Sequence, residues 1–140
     1  DFFLLAMDQL VNAASKWHYL YGPKKSISIT LRLIIGRGWG QGAQHSQSLE
    51  SIFAHIPGLK VVTPSTPKDA KGLLLSSIED KNPIIFFEHR WLHHTIGNFP
   101  KKYFKIPIIK NNTSSMTKSE ELVFESPDNK NPDQRAFFPE

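Results

Sequence analysis

A chain of 140 residues with 39% hydrophobic and 21% charged side chains has the length and balance of one globular domain of ordinary size. It contains no cysteine, which excludes disulfides, zinc–thiolate sites and thiol catalysis, and no apolar run reaches the about 20 residues of a membrane span. The net charge of +4 is modest, and the basic residues do not form a stripe. Lys24-Lys25 and Lys101-Lys102 are isolated pairs, which argues against a nucleic-acid surface. Residues 1–109 hold 13 basic and 7 acidic side chains, whereas residues 110–140 hold 4 and 6.

In chain order, apolar residues at Phe3, Leu4, Met7, Leu10, Val11, Ala14 and Trp17 fall three and four apart. That spacing predicts a helix over residues 1–19, ended by Gly22-Pro23. Residues 26–35 are rich in Ile, Leu and Thr and predict a strand. Gly36, Gly38, Gly40 and Gly42 then occupy every second position, the mark of a loop able to adopt positive φ and to approach another group closely. Residues 46–55 predict a short helix carrying Leu49, Ile52 and Phe53 on one face, closed near Gly58. A short buried strand follows at 59–62. Thr66-Pro67-Lys68-Asp69 predicts a helix start, with Thr66 as N-cap, Pro67 in the first turn and Asp69 reaching back. That helix ends near Asp80, and residues 83–88 form another apolar strand.

The order helix, strand, helix, strand, helix, strand, with short and continuously apolar strands, predicts an α/β fold with a parallel sheet. Ligands of such sheets lie beyond the carboxyl ends of the strands, which makes residues 36–47 the expected working end. After Ile109 the composition turns polar, and residues 110–140 are expected to be a linker or poorly ordered tail.

Gly38-Trp39-Gly40-Gln41-Gly42-Ala43 satisfies a loose dinucleotide pattern, but Val62-Thr63-Pro64-Ser65 lacks the acidic residue that pattern needs about 20 positions on. No Gly-Lys-Ser/Thr follows, so a P-loop is excluded too. His45 sits directly after the glycines. In isolation it reads as a helix-start residue; its place at a strand-end edge makes it a candidate for proton transfer. His89, His93 and His94, with Glu88, admit a metal site or a solvated loop, and a solvated loop is the reading their adjacency favours.

The string Gly36-Arg37-Gly38-Trp39-Gly40-Gln41-Gly42-Ala43-Gln44-His45-Ser46-Gln47-Ser48-Leu49-Glu50 continues through Phe53-Ala54-His55-Ile56-Pro57-Gly58-Leu59-Lys60-Val61-Val62. It goes on through Pro64-Ser65-Thr66-Pro67, Asp69-Ala70-Lys71-Gly72-Leu73-Leu74, Ile78-Glu79-Asp80-Lys81-Asn82-Pro83 and Phe86-Phe87-Glu88. Together with Asp8-Gln9-Leu10-Val11-Asn12-Ala13-Ala14-Ser15-Lys16-Trp17, it closely resembles the β subunit of thiamine-diphosphate-dependent 2-oxo acid dehydrogenase E1 components, the pyruvate, branched-chain and acetoin enzymes. The resemblance implies the parallel-sheet thiamine-diphosphate-binding fold, a transketolase-like pyrimidine-binding domain, here partial over residues 1–109.

The resemblance also implies a function: binding the aminopyrimidine side of thiamine diphosphate, for oxidative decarboxylation of a 2-oxo acid and acyl transfer to lipoyl-E2. The implied partners are an E1 α subunit in an α2β2 heterotetramer, which holds the diphosphate and Mg²⁺, and the lipoyl-bearing E2. No membrane or nucleic-acid partner is implied. The implied compartment is the cytoplasm of a bacterium or the mitochondrial matrix of a eukaryote. Phe2 matches the aromatic residue that packs on the aminopyrimidine; its plain alternative is a buried helix aromatic. His45 matches the histidine of the acyl-transfer step. A structural K⁺ site, held mainly by backbone oxygens, falls on Ile27, Ile29, Thr30, Ser77, Asp80 and Asn82; a plain helix-end turn is the alternative.

Two departures qualify the resemblance. The family's acid on an early loop has no counterpart here, and Glu50, Glu79 and Glu88 lie outside its motif. Residues 111–140 do not resemble the family's second domain. The chain alone is therefore expected not to be a competent E1. The other readings are a non-catalytic module that binds an α-type partner, and part of another thiamine-diphosphate enzyme such as a transketolase. The Gln44-His45-Ser46-Gln47 and Ile78-to-Pro83 words favour the E1 β subunit.

Overall fold

The computed structural model describes residues 1–22 and 24–108. The expected tail at 110–140 lies outside the described residues. Three strands, β1 (Thr30–Ile35), β2 (Lys60–Val62) and β3 (Ile84–His89), form a parallel sheet in the order β1-β3-β2. The helices are α1 (Trp17–Tyr21), α2 (Glu50–Ala54) and α3 (Pro67–Glu79). The α/β reading and the parallel sheet are both borne out.

The reason for this arrangement is visible in β3. Ile84, Ile85, Phe86 and Phe87 are all buried, and successive side chains of a strand point to opposite faces. One face packs Ile85 and Phe87 with Leu10, Ile35 and Phe53. The other packs Ile84 and Phe86 with Val62, against Leu73, Leu74 and Ile108. A central parallel strand covered on both faces needs this unbroken apolar run. β1 is an edge among the described strands and is covered less: Arg32 and Ile34 are exposed while Ile35 is buried.

Five expected elements differ in their bounds. The N-terminal segment is helical along most of its path, but not one α-helix: a 3-10 stretch at Phe2–Ala6 passes into a wide π stretch at Gln9–Ala14 before α1. The Ser15 N–H reaches the Leu10 carbonyl at 2.9 Å, and the Ser15 hydroxyl donates to the Val11 carbonyl at 2.7 Å. Apolar spacing of three and four residues marks a buried face but does not separate helices of neighbouring pitch. β1 begins at Thr30, four residues later than the composition implies, because the sheet partner begins at Ile84. The helix expected over 46–55 shrinks to α2, β2 starts one residue later, at Lys60, and β3 shifts by one residue to Ile84–His89.

The start of α3 follows its sequence signal. The Thr66 hydroxyl oxygen accepts from the Asp69 N–H at 3.1 Å, with Pro67 at the first position. Asp69 reaches back as expected, to the hydroxyls of Thr66 and Ser65, at 2.7 and 3.1 Å.

Candidate functional site

β1 delivers the chain to Gly36 at its carboxyl end, and the loop returns at Gln47. Gly36 closes it: its N–H donates to the Gln47 carbonyl at 3.0 Å, and its carbonyl accepts from the Trp39 N–H at 2.8 Å. Gly38, Gly40 and Gly42 have φ between 74° and 79°, a region that L side chains rarely adopt. Gly36 is not among them. Its requirement is space, since a Cβ there would stand 2.8 Å from the His45 carbonyl oxygen and 3.2 Å from Arg90 Cδ.

His45 ends a 3-10 turn, Ala43–His45, and its N–H donates to the Gly42 carbonyl at 3.2 Å. The imidazole meets the ring of Phe2 edge to face, with centroids 5.1 Å apart and planes at 65°. Phe2 is 62% exposed, so it is not the buried helix aromatic that was its plain alternative. The two residues are 43 positions apart in sequence, and the fold brings them together. The N-terminal helical segment is seated for this by Phe3 against Phe53 and by buried Leu10. An aromatic face open to solvent beside an imidazole suits a planar, partly polar heteroaromatic ring such as an aminopyrimidine.

Of the six residues expected around K⁺, Thr30, Ser77, Asp80 and Asn82 are joined by hydrogen bonds at the end of α3 and the entry to β1, where Ile29 precedes Thr30 in the chain. The Ser77 carbonyl accepts from the Thr30 hydroxyl at 2.9 Å and from the Asp80 N–H at 3.3 Å. The Asp80 carbonyl accepts from Ser28 at 2.6 Å, and the Ile29 carbonyl from the Ile84 N–H at 2.9 Å. The Asp80 carboxylate is occupied by the Lys60 ammonium and by both N–H groups of Asn82. Burial raises the affinity of that carboxyl for a proton, but the Lys60 and Asn82 donors outweigh it and hold the group below its ordinary range. The chemistry fits a hard cation in part: the Ser77 and Asp80 carbonyls lie at the negative end of a 13-residue helix, while they already accept hydrogen bonds and the carboxylate is already neutralised.

The histidines after β3 do not form a metal centre. Among the described residues no group of three or more His, Cys, Asp or Glu could hold a metal ion. His93 lies 3.7 Å from Glu88, and His89 accepts from the Trp91 N–H at 3.2 Å. Burial pushes the His89 imidazole below its ordinary value. Trp91 in turn packs on Trp39, bracing the glycine loop against the segment that follows β3.

Sequence reasoning missed one feature, a cleft of about 340 Å³ at the carboxyl ends of β2 and β3, lined by Arg32, Thr66, Lys71, Glu88 and His93 among others. Neither Phe2 nor His45 borders it. Its charged groups are already engaged: Arg32 grips Glu88 through two hydrogen bonds, and the Lys71 ammonium donates to the carbonyls of Pro100, Lys101 and Lys102. The Arg32–Glu88 pair is set by the β1–β3 register, which no local pattern announces. Among the described residues no helix is long and apolar enough to cross a membrane.

Residues 1–94 match the family model described as transketolase, pyrimidine binding domain. The chain is 46% identical over 110 residues to the β subunit of acetoin:2,6-dichlorophenolindophenol oxidoreductase of Bacillus subtilis (strain 168), covering 79% of this chain and 32% of that protein. It is 44% identical over 110 residues to the mitochondrial 2-oxoisovalerate dehydrogenase subunit beta 2 of Arabidopsis thaliana, covering 77% and 31%. It is 46% identical over 110 residues to the pyruvate dehydrogenase E1 component subunit beta of Gracilaria tenuistipitata var. liui, covering 79% and 34%. The chain thus spans about a third of the length of these relatives.

Proposed function

This chain belongs to the transketolase pyrimidine-binding domain family, and we propose that it serves as the pyrimidine-side portion of an E1 β subunit. In this reading it works with an E1 α subunit, in an α2β2 assembly, on a 2-oxo acid whose acyl group passes to lipoyl-E2. The observation that carries the reading is the contact between Phe2 and His45 beside the glycine loop. Bound thiamine diphosphate supplies the electron sink for decarboxylation, and the α subunit holds its diphosphate and Mg²⁺. Phe2 offers the aromatic face for the aminopyrimidine. His45, anchored through its main chain, presents an imidazole that gives or takes a proton as the acyl group moves.

Titration of the isotope-labelled chain with thiamine diphosphate and Mg²⁺ tests this. The ring signals of Phe2 and His45 are expected to move together and saturate, while the side-chain signals of Lys71 and His93 in the cleft stay fixed. Movement confined to the cleft would overturn the reading. A non-catalytic module that binds an α-type partner would bind such a partner yet leave Phe2 and His45 unmoved by the cofactor.

The Ser77 and Asp80 carbonyls at the carboxyl end of α3 support a structural K⁺ as part of the same reading, with Ile27, Ile29, Thr30 and Asn82 completing the set. Exchanging choline chloride for KCl at equal ionic strength is expected to raise the melting temperature by roughly 5 °C, about 1 kcal/mol for a domain of this size. An equal melting temperature in both salts would remove the ion from the proposal.

A further inference from the structure

Two buried side-chain polar atoms among the described residues have no hydrogen-bond partner, Asp1 Oδ1 and Arg90 Nε. A buried donor without an acceptor is costly enough that native structures leave few of them, and a catalytic role or a bound ion is among the reasons for an exception. Arg90 follows β3 directly, so its side chain is rooted at the carboxyl end of the central strand. It reaches across to the neighbouring strand end: a Cβ on Gly36 would stand 3.3 Å from Arg90 Nε and 2.8 Å from the His45 carbonyl oxygen. Gly36 is therefore a bare patch of backbone shared by the Arg90 side chain and by the main-chain carbonyl of His45, the residue whose ring Phe2 packs against. The guanidinium is permanently charged and planar, and two of its N–H groups along one edge match the two oxygens of a carboxylate. Arg32, by contrast, is already consumed by Glu88.

We propose that Arg90 binds the carboxylate of an anionic 2-oxo acid substrate beside His45, with its buried Nε–H as one of the donors. This rests on the proposed function and adds to it the residue that would recognise the substrate's charge. Lysine at this position keeps the charge but loses the fork, and glutamine loses both.

The test follows the Arg90 Nε–H and His45 ring signals of the 140-residue chain during titration with sodium pyruvate, with methyl pyruvate and inorganic phosphate as parallel probes. Pyruvate is expected to shift the Nε–H signal saturably, and methyl pyruvate, which lacks the anion, to leave it in place. Arg90→Gln is expected to weaken the pyruvate-induced His45 shift by roughly tenfold or more, and Arg90→Lys by less. Should Arg90→Gln fail to fold, Arg90→Lys and the wild-type Nε–H signal carry the test. An unmoved Nε–H signal, an equal response to methyl pyruvate, or a stronger response to phosphate than to pyruvate would each overturn the proposal. Thiamine diphosphate added separately tells the two readings apart: a cofactor response at Phe2 without a pyruvate response at Arg90 sinks only this inference, and the reverse sinks only the cofactor assignment.

Discussion

In an assembly with an E1 α subunit that turns over a 2-oxo acid, His45→Ala is expected to lower acyl transfer to a lipoyl acceptor by about 100-fold or more, the range set by loss of a positioned acid–base group. The fold should survive, because the histidine's place is fixed by its main chain. Its N–H is held by Gly42, its carbonyl rests on Gly36, and only the ring, which is partly exposed, would be removed. Far-UV circular dichroism and the melting temperature should therefore stay close to wild type. Thiamine diphosphate should still move Phe2, whose ring loses a neighbour but keeps its open face. His45→Gln separates hydrogen bonding from proton transfer. If glutamine restores turnover, the imidazole only orients, and if alanine leaves acyl transfer unchanged, His45 has no part in the chemistry.

Much of the scaffold behind that prediction is legible in the sequence. Four consecutive apolar residues from Ile84 to Phe87 demand a strand covered on both faces, and Thr66 with Asp69 demands a helix start. The glycine loop is legible as a loop, but its four glycines serve two needs. Three supply positive φ, while Gly36 supplies room for His45 and Arg90, and sequence alone does not separate these uses. The site is less legible because it is built from distant pieces. Phe2, the glycine loop with Gly36 and His45, and Arg90 come from three segments, and only the packing of the N-terminal helical stretch and the β1–β3 pairing brings them together. The wide π turn is hidden for a related reason, since its hydrogen bonds change while its buried face does not.

That turn underlies the largest expected loss of stability, from Gly58→Ala. Gly58 has φ of 93°, and a Cβ there would collide with the Ser15 carbonyl oxygen and stand 3.0 Å from the Ser15 carbonyl carbon. Positive φ alone costs an alanine about 1 kcal/mol. The collision adds to this because the obstacle is backbone. Ser15 holds the Leu10 carbonyl through its N–H, and Leu10 packs with Phe53 and Phe87, so moving Ser15 loosens the core on that face of the sheet. A loss of roughly 3 kcal/mol or more is expected, a large share of the 5–15 kcal/mol that holds a domain together. Gly22→Ala is the control: its φ is 91°, yet nothing among the described residues lies within 4 Å of the added carbon. If the two substitutions lower the melting temperature equally, the backbone contact at Ser15 contributes nothing. If Gly58→Ala is the more damaging, the same stretch should release Phe2, and the His45 ring signal should move toward its unstacked position even in molecules that remain folded.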